Sequence, residues 1–300
     1  MDPAYSTGVN RRRFIGLGVA GLAGGLLGCT TSAPSIAPAS TPTPSIPLPP
    51  RGLYVRTIRD RGRLIVGTYR DTFFSTWDPQ LRTVLGFDAD IAREIAKDLF
   101  GDAERIEWKE ITSATRIAAL QEGIVDVVVA SMTITPERLQ QVDFSDVYYE
   151  SAQMLLVPKA SGLRAIEDTA GKLLCAAKGS TSVANIRRLQ PAATIVQVVD
   201  WHECLVALQN GDVDGISTDQ TILIGMAAHD ERLALVGGKL TYEPYGIGVP
   251  KGRAGFVSFI NGVLIRAKLD GRWAKIHEKW LGKYLPAPSP PTRPALEAAV

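Results

Sequence analysis

One eight-residue pattern occurs twice in the chain, as ALQEGIVD at residues 119–126 and as ALQNGDVD at residues 207–214. In each copy Ala-Leu-Gln is typical of a helix, Gly is typical of a helix end, and an apolar run typical of a buried strand follows. Five residues beyond the last Asp lie Ser131 in one copy and Asp219 in the other. Open α/β sheets bind ligands at this end of a strand, so the repeat predicts two α/β units with binding residues at matching positions. The alternative is chance similarity, because Ala-Leu-Gln-x-Gly is also ordinary helix-ending chemistry.

The segment after the first copy, SMTITPERLQQVDFS at residues 131–145, predicts a turn from a strand into a helix. Thr135 suits the N-cap and Pro136 suits the first helical position, so Arg138 projects from the first helical turn. The hydroxyl side chains of the turn are Ser131, Thr133 and Thr135. Hydroxyls, a positive helix end and a guanidinium can together hold a carboxylate. The alternative is an ordinary surface arginine on a short helix.

The motif Ser-x-Thr-Ile-Thr-Pro-Glu-Arg followed by Val-Asp-Phe-Ser resembles the signature of family 3 of the bacterial solute-binding proteins, the polar amino acid receptors of ABC importers. The resemblance extends from about residue 63 to residue 281. It implies an α/β chain with the type II periplasmic binding protein fold, in which two α/β lobes are joined by a two-strand hinge. It also implies a free amino acid as ligand, an ABC transporter permease as partner, no cofactor and no enzyme activity.

The same resemblance sets the expected domain boundaries. Lobe 1 is expected at residues 51–152 and 247–285, and lobe 2 at residues 153–246. Extended crossings between the lobes are expected near residues 148–158 and 242–249, and the last helices are expected to return to lobe 1. The Pro-rich residues 286–300 are expected to form a disordered tail, unless they pack on the receptor.

The resemblance also assigns the groups that hold the common part of an amino acid. Arg138 would grip the α-carboxylate with hydrogen bonds from Ser131 and Thr133, and Asp219 would bind the ammonium. Asp219 could instead be a helix N-cap. The loop KGSTS at residues 178–182 is a second candidate anion site through Ser180 and Thr181, or a simple helix cap.

The side chain of the ligand would meet a second set of residues. Ser113, which can also cap a helix, and Arg116 resemble the residues that contact the distal carboxylate in glutamate and aspartate receptors. Arg70 lies in the loop that supplies a second arginine there, although the alignment slips by one residue. This surplus of positive charge favours glutamate or aspartate. A solvated Arg116 is an alternative. Glutamine is another, because glutamine receptors have a Lys before a Gly in the second-lobe loop. Lys178 lies near that position but departs from the exact pattern, which leaves the choice of side chain open.

Other classes of function find less support in the sequence. His202, His229 and His277 are scattered without the spacing of a metal site, and no nucleophile elbow or Walker loop occurs. With 45% apolar residues, 21% charged residues and a net charge of +2, the chain is globular and has no long basic block for nucleic acid. A cyclohexadienyl dehydratase-like enzyme on the same fold and a ligand-sensing receptor for a membrane signalling partner stay as alternatives.

The N-terminal residues are predicted to direct export. Arg11, Arg12 and Arg13 precede Phe-Ile and a short apolar run, which suits either twin-arginine or Sec export. The run ends in Leu-Leu-Gly-Cys29, which resembles a lipobox. We therefore expect a signal peptide at residues 1–28, a lipid on Cys29 and a Pro-rich tether at residues 29–50. The mature protein would be a monomer anchored on the extracytoplasmic face of the cell membrane.

Two further cysteines follow Cys29 in the chain, Cys175 and Cys204. Outside the cytoplasm an even pair of cysteines favours a disulfide. Two buried free thiols are the alternative, because cysteine is common in cores.

Processing at Cys29 gives a direct test of the lipobox. The mature protein should partition into detergent and should begin with an acylated Cys29. Mass spectrometry of the mature N-terminus checks this expectation, and an unmodified first residue other than Cys29 would contradict it.

Overall fold

The computed structural model describes residues 52–69, 71–72, 74–286 and 288–292. In chain order, the strands within these residues are β1 (Leu64–Thr68), β2 (Asp71–Thr72), β3 (Ser75–Asp78), β4 (Thr83–Leu85), β5 (Ile106–Glu110), β6 (Val127–Val128), β7 (Asp143–Phe144), β8 (Tyr149–Ser151), β9 (Gln153–Pro158), β10 (Leu173–Ala177), β11 (Thr194–Val198), β12 (Gly215–Asp219), β13 (Leu233–Val236), β14 (Glu243–Tyr245) and β15 (Gly248–Val249). The α-helices are α1 (Leu53–Arg61), α2 (Phe87–Phe100), α3 (Arg116–Gln121), α4 (Pro136–Gln141), α5 (Thr181–Leu189), α6 (Trp201–Asn210), α7 (Gln220–Ala228), α8 (Ala254–Leu269) and α9 (Arg272–Leu281).

Two five-stranded sheets follow the same plan. The first has the order β5-β1-β6-β15-β7 and the second has the order β11-β10-β12-β9-β13. In each sheet the first three strands are parallel to one another, and the fourth strand is antiparallel to both of its neighbours. We call the part of the chain around the first sheet lobe 1 and the part around the second sheet lobe 2.

The run of apolar residues that contains β6 is buried on both faces of its sheet. Val127 and Val129 belong to the core formed with α1, α2, α8 and α9, whereas Val128 and Ala130 belong to the core formed with α3. A strand covered on both faces has no solvent side, which explains why this segment is continuously apolar instead of alternating.

The repeated sequence pattern has the same structural role in both lobes. A carboxylate oxygen of Asp126 accepts a hydrogen bond from the backbone N–H of Ile65 at 2.7 Å, and that of Asp214 accepts one from Leu173 at 2.8 Å. Each Asp therefore ties the start of a central strand to its parallel neighbour. The two copies mark equivalent units, as predicted.

Two short strands connect the lobes. β8 and β14 pair antiparallel, with Glu150 opposite Pro244, and β8 leads into lobe 2 while β14 leads back to lobe 1. Helices α8 and α9 then pack into the core of lobe 1. The indole N–H of Trp273 donates to the carbonyl of Tyr148 at 2.8 Å, so the last helix is fixed against the start of the crossing.

The structure differs from the expectations at both ends of lobe 1. Helix α1 and the small sheet formed by β2, β3 and β4 were not predicted from the sequence. At the other end Pro291 is buried, and its carbonyl accepts a hydrogen bond from Lys268 at 2.6 Å. The described part of the tail therefore packs on the lobe.

The predicted signal peptide, Cys29 and the predicted tether all lie outside the described residues. Among the residues that are described, no helix has both the length and the apolar character that a membrane span requires.

A disulfide joins Cys175 on β10 to Cys204 on α6, with the two Cα atoms 5.5 Å apart. Both cysteines are fully buried in the core of lobe 2. The bond fixes a helix to the sheet that carries the second copy of the repeat.

Replacing both cysteines should lower the stability of lobe 2. A crosslink across a sequence separation of 29 residues restricts the unfolded chain, and its loss should cost about 3–4 kcal/mol in the chain-entropy model. Urea unfolding of a Cys175→Ala/Cys204→Ala double variant measures this change against disulfide-bonded wild type, and reduced wild type is the control for the substitutions themselves. Two thiols that titrate in the denatured, unreduced, exported protein would contradict the pair.

Candidate functional site

Four charged side chains from both lobes and the hinge are buried together where the lobes meet. They are Arg116, Arg138, Asp219 and Glu243, which are 2%, 7%, 5% and 2% exposed. The charges of Arg116, Arg138 and Glu243 all act on the pKa of Asp219, so the four groups form one electrostatic cluster.

Arg138 is held by the turn that leads into α4. The side chain of Thr135 accepts a hydrogen bond from the backbone N–H of Arg138 at 3.3 Å, as the predicted N-cap requires. One guanidinium nitrogen donates to the carbonyl of Thr133 at 2.7 Å, and the other donates across the cleft to the carbonyl of Gly179 at 3.2 Å. Burial, and then the charge of Arg116, lower the pKa of Arg138 to about 9. Two neighbouring buried cations favour an anion between them.

Arg116 is buried, so the alternative of a solvated helix residue is wrong. Its Nη1 donates to the hydroxyl of Tyr69 at 3.2 Å and to the carbonyl of Ala130 at 3.1 Å. Its Nε is buried and has no partner among the described residues. Ser113 does not cap the helix, because Thr115 precedes α3; instead its hydroxyl lies 2.6 Å from that of Tyr69.

Ser131 has a backbone φ of +45°, which is uncommon for a residue other than glycine. Its N–H and its hydroxyl both donate to Oδ2 of Asp88, at 2.8 and 3.2 Å. The hydroxyl of Tyr148 donates to the other oxygen of Asp88 at 2.7 Å. Burial raises the pKa of Asp88 to about 7. Asp88 therefore fixes the conformation of the turn, and both the backbone N–H and the hydroxyl of Ser131 are already used in hydrogen bonds to it.

Asp219 occupies the N-cap position of α7, but its side chain makes no capping hydrogen bond. Oδ2 accepts from the hydroxyl of Tyr245 at 2.6 Å, while Oδ1 is buried without a partner among the described residues. Burial, and then the charge of Glu243, raise the pKa of Asp219 to about 7. A cationic donor at Oδ1 would relieve both effects.

The predicted hydroxyls of lobe 2 have different partners. Thr181 donates to Oε2 of Glu243 at 3.0 Å, and Thr133 of lobe 1 donates to the same oxygen at 2.7 Å. Ser180 instead donates to the carbonyl of Ala177 at 2.7 Å. Glu243 was missed by the sequence analysis, because a lone Glu in an extended segment gives no sign that it is buried.

Gly179 shows how closely the lobes meet. Its φ is +80°, and a Cβ added there would lie 2.8 Å from the Cα of Ala114 and 2.9 Å from the carbonyl oxygen of Ser113. The turn before α5 thus packs on the backbone of lobe 1, and only glycine fits.

A cavity of about 310 Å³ adjoins the cluster at Tyr69 and is also lined by residues 110–113 of lobe 1 and 199–202 of lobe 2. The described residues contain no group of His, Cys, Asp and Glu that could hold a metal ion. Arg70, predicted as a second arginine for the ligand side chain, lies outside the described residues.

Comparison with known proteins gives a consistent picture. The ABC transporter glutamine-binding protein GlnH of Bacillus subtilis is 43% identical over 226 residues, which cover 75% of this chain and 83% of that protein. The glutamate-binding protein GluB of Corynebacterium efficiens is 31% identical over 237 residues, covering 75% and 80%. Among solved structures, an ancestral arginine-binding protein bound to glutamine is 37% identical with a TM-score of 0.68, covering 74% of this chain and 99% of that one.

These similarities confirm the predicted type II periplasmic binding protein fold, and the proteins concerned are binding proteins and not enzymes. The model of the bacterial extracellular solute-binding proteins, family 3, matches residues 64–283. The chain therefore belongs to the family 3 bacterial extracellular solute-binding proteins.

Proposed function

We propose that this protein is an extracytoplasmic receptor that binds a free amino acid for an ABC importer, and that its preferred ligand is glutamine. The observation that carries the proposal is the unpaired, buried Oδ1 of Asp219 in the same cluster as Arg138 and Arg116. A zwitterion supplies one cation and one anion to such a cluster.

The two ends of an α-amino acid match the two kinds of charge. The α-carboxylate suits Arg138, whose pKa is lowered by burial and by Arg116 and would be restored by an anion. The ammonium suits Asp219, because it supplies the donor that Oδ1 lacks. Removing one partner of a buried charged pair typically costs about 2–5 kcal/mol.

The preference for glutamine corrects the sequence-based expectation of glutamate or aspartate. That expectation counted two or three positively charged arginines and a single negative charge, that of Asp219. The cluster also contains the carboxylate of Glu243, so the surplus of positive charge is smaller than expected. With Arg116 and Arg138 facing two carboxylates, a neutral zwitterion keeps the balance of charge. A dicarboxylic amino acid adds a negative charge that the described residues do not compensate.

An amide also suits the hydrogen bonding of Arg116. A neutral ligand side chain does not leave this arginine unpaired, because its Nη1 already donates to Tyr69 and to the carbonyl of Ala130. Its Nε, which has no partner among the described residues, needs one acceptor. The carbonyl oxygen of a side-chain amide can provide that acceptor.

The known relatives support the same choice. The more similar of the two sequence relatives, at 43% identity, is named as a glutamine-binding protein, and the one at 31% as a glutamate-binding protein. We further propose a monomer attached to the membrane through Cys29, with an ABC transporter permease as its partner.

Calorimetry with glutamine and glutamate tests the ligand. Wild type should bind glutamine more tightly than glutamate. Arg138→Ala should weaken both by about 2–5 kcal/mol, because the α-carboxylate is common to both. Arg116→Ala should weaken glutamine binding by about 1.5–3 kcal/mol, the cost of a lost hydrogen bond to a charged group.

Arg187→Ala, on the exposed side of α5, is the matched control and should bind as wild type does. A wild type that prefers glutamate tenfold or more would contradict the assignment of glutamine. Failure to bind any amino acid would contradict the receptor function itself.

Binding should depend on pH through Asp219. Its pKa of about 7 in the free protein means that it is mostly protonated at pH 6, whereas a bound ammonium requires the ionised form. Affinity should therefore rise as the pH increases from about 5 to 7 and then level off, and binding near pH 6 should release a proton.

Calorimetry in two buffers of different ionisation enthalpy measures the released proton. Asp219→Asn should bind weakly and should lose the part of the release that Asp219 provides, while Asp212→Asn on an exposed turn should keep it. Proton uptake by wild type would contradict this role.

A further inference from the structure

The carboxylate of Glu243 accepts four side-chain hydrogen bonds, although it lies on the hinge strand β14 and is only 2% exposed. Its Oε2 accepts from Thr133 at 2.7 Å and from Thr181 at 3.0 Å. Its Oε1 accepts from Asn185 at 3.0 Å and from Thr241 at 2.6 Å. A buried carboxylate with this many donors is strongly fixed in position.

The donors come from both lobes. Thr133 follows β6 in lobe 1, and an isolated bridge pairs it with Tyr245 of the hinge. Thr181 and Asn185 lie on the first turns of α5 in lobe 2. A single oxygen can accept from Thr133 and Thr181 together only when the two lobes lie close to each other.

We propose that Glu243 is a positioning residue that holds the two lobes together in the ligand-bound arrangement. This inference rests on the proposed receptor function. Glu243 acts on the ligand site through Thr133, whose hydroxyl it holds and whose carbonyl accepts from Arg138. Closure of the lobes would thus position Arg138 for the α-carboxylate at the same time as it forms the hydrogen bonds between the lobes.

A second contact supports the same arrangement. Gly179, two residues before Thr181, packs on the backbone of Ser113 and Ala114 and accepts from Arg138. The start of α5 therefore meets lobe 1 at two points, one through its backbone and one through Glu243.

Glu243→Gln is the first test. In this variant one acceptor oxygen becomes an amide donor, so the charge-assisted hydrogen bonds to the two threonines are lost or reversed. The dissociation constant for glutamine should rise about tenfold or more. Glu150→Gln is the matched control, because Glu150 is exposed on the paired hinge strand, and its affinity should stay within about twofold of wild type.

X-ray scattering distinguishes positioning from folding. At saturating glutamine, Glu243→Gln should have a larger radius of gyration than wild type, while its far-UV circular dichroism and urea midpoint stay close to those of wild type. If affinity and radius of gyration both equal those of wild type, the positioning role is overturned.

Thr133→Val and Thr181→Val test the proposal even if variants of Glu243 fail to fold. If both hydroxyls act by joining the lobes through one oxygen, either substitution breaks the link, and the double variant should lose little more affinity than the worse single variant. Additive losses would mean that each threonine acts alone and would overturn the proposal. A wild type that binds no amino acid would overturn both the receptor function and this role, whereas normal wild-type binding with additive losses overturns only the role of Glu243.

Discussion

Buried charge is the constraint on which the rest of the site depends. A charged side chain removed from water is stable in a protein only when opposite charges or hydrogen bonds replace its hydration. Here two arginines and two carboxylates share one buried cluster, and each has specific partners except at Nε of Arg116 and Oδ1 of Asp219, which lack a partner among the described residues. The arginine atom is a donor without an acceptor and the carboxylate atom is an acceptor without a donor, which is the pair of deficits that the proposed amino acid ligand would fill.

The fold brings these groups together because both lobes repeat one plan. The equivalent contacts of Asp126 and Asp214 align the central strands, and the carboxyl ends of β6 and β12 carry Ser131 and Asp219. The two hinge strands add residues of their own, since Glu243 and Tyr245 of β14 contact groups of both lobes. The hinge therefore contributes residues to the candidate site as well as connecting the lobes.

Local patterns in the sequence predicted the parts of the site that depend on neighbouring residues. The Thr135 cap, the short α4 and the positions of Arg138 and Asp219 follow from turn chemistry and from the repeat, and the paired cysteines follow from their number. The structure also revealed Asp88 and Glu243, which the sequence did not indicate. Both are carboxylates in ordinary local contexts, and their importance comes from burial and from partners such as Ser131 that are distant in the chain. Single-sequence patterns carry no such information.

The two carboxylates with raised pKa values link the site to stability. Burial raises the pKa values of Asp88 and Asp219 to about 7 in the folded protein, whereas an Asp in an unfolded chain has a pKa of about 4. Between these values the folded state binds more protons than the unfolded state, so the ligand-free protein loses stability as the pH rises from about 4 to 7. A ligand ammonium beside Asp219 would favour the ionised carboxylate and so would offset part of this loss of folding stability. In the proposed complex, a ligand whose ammonium pairs with Asp219 therefore gains affinity over the same pH range in which ionisation of Asp219 destabilises the ligand-free protein, and this difference in free energy shifts the population toward the ligand-bound state.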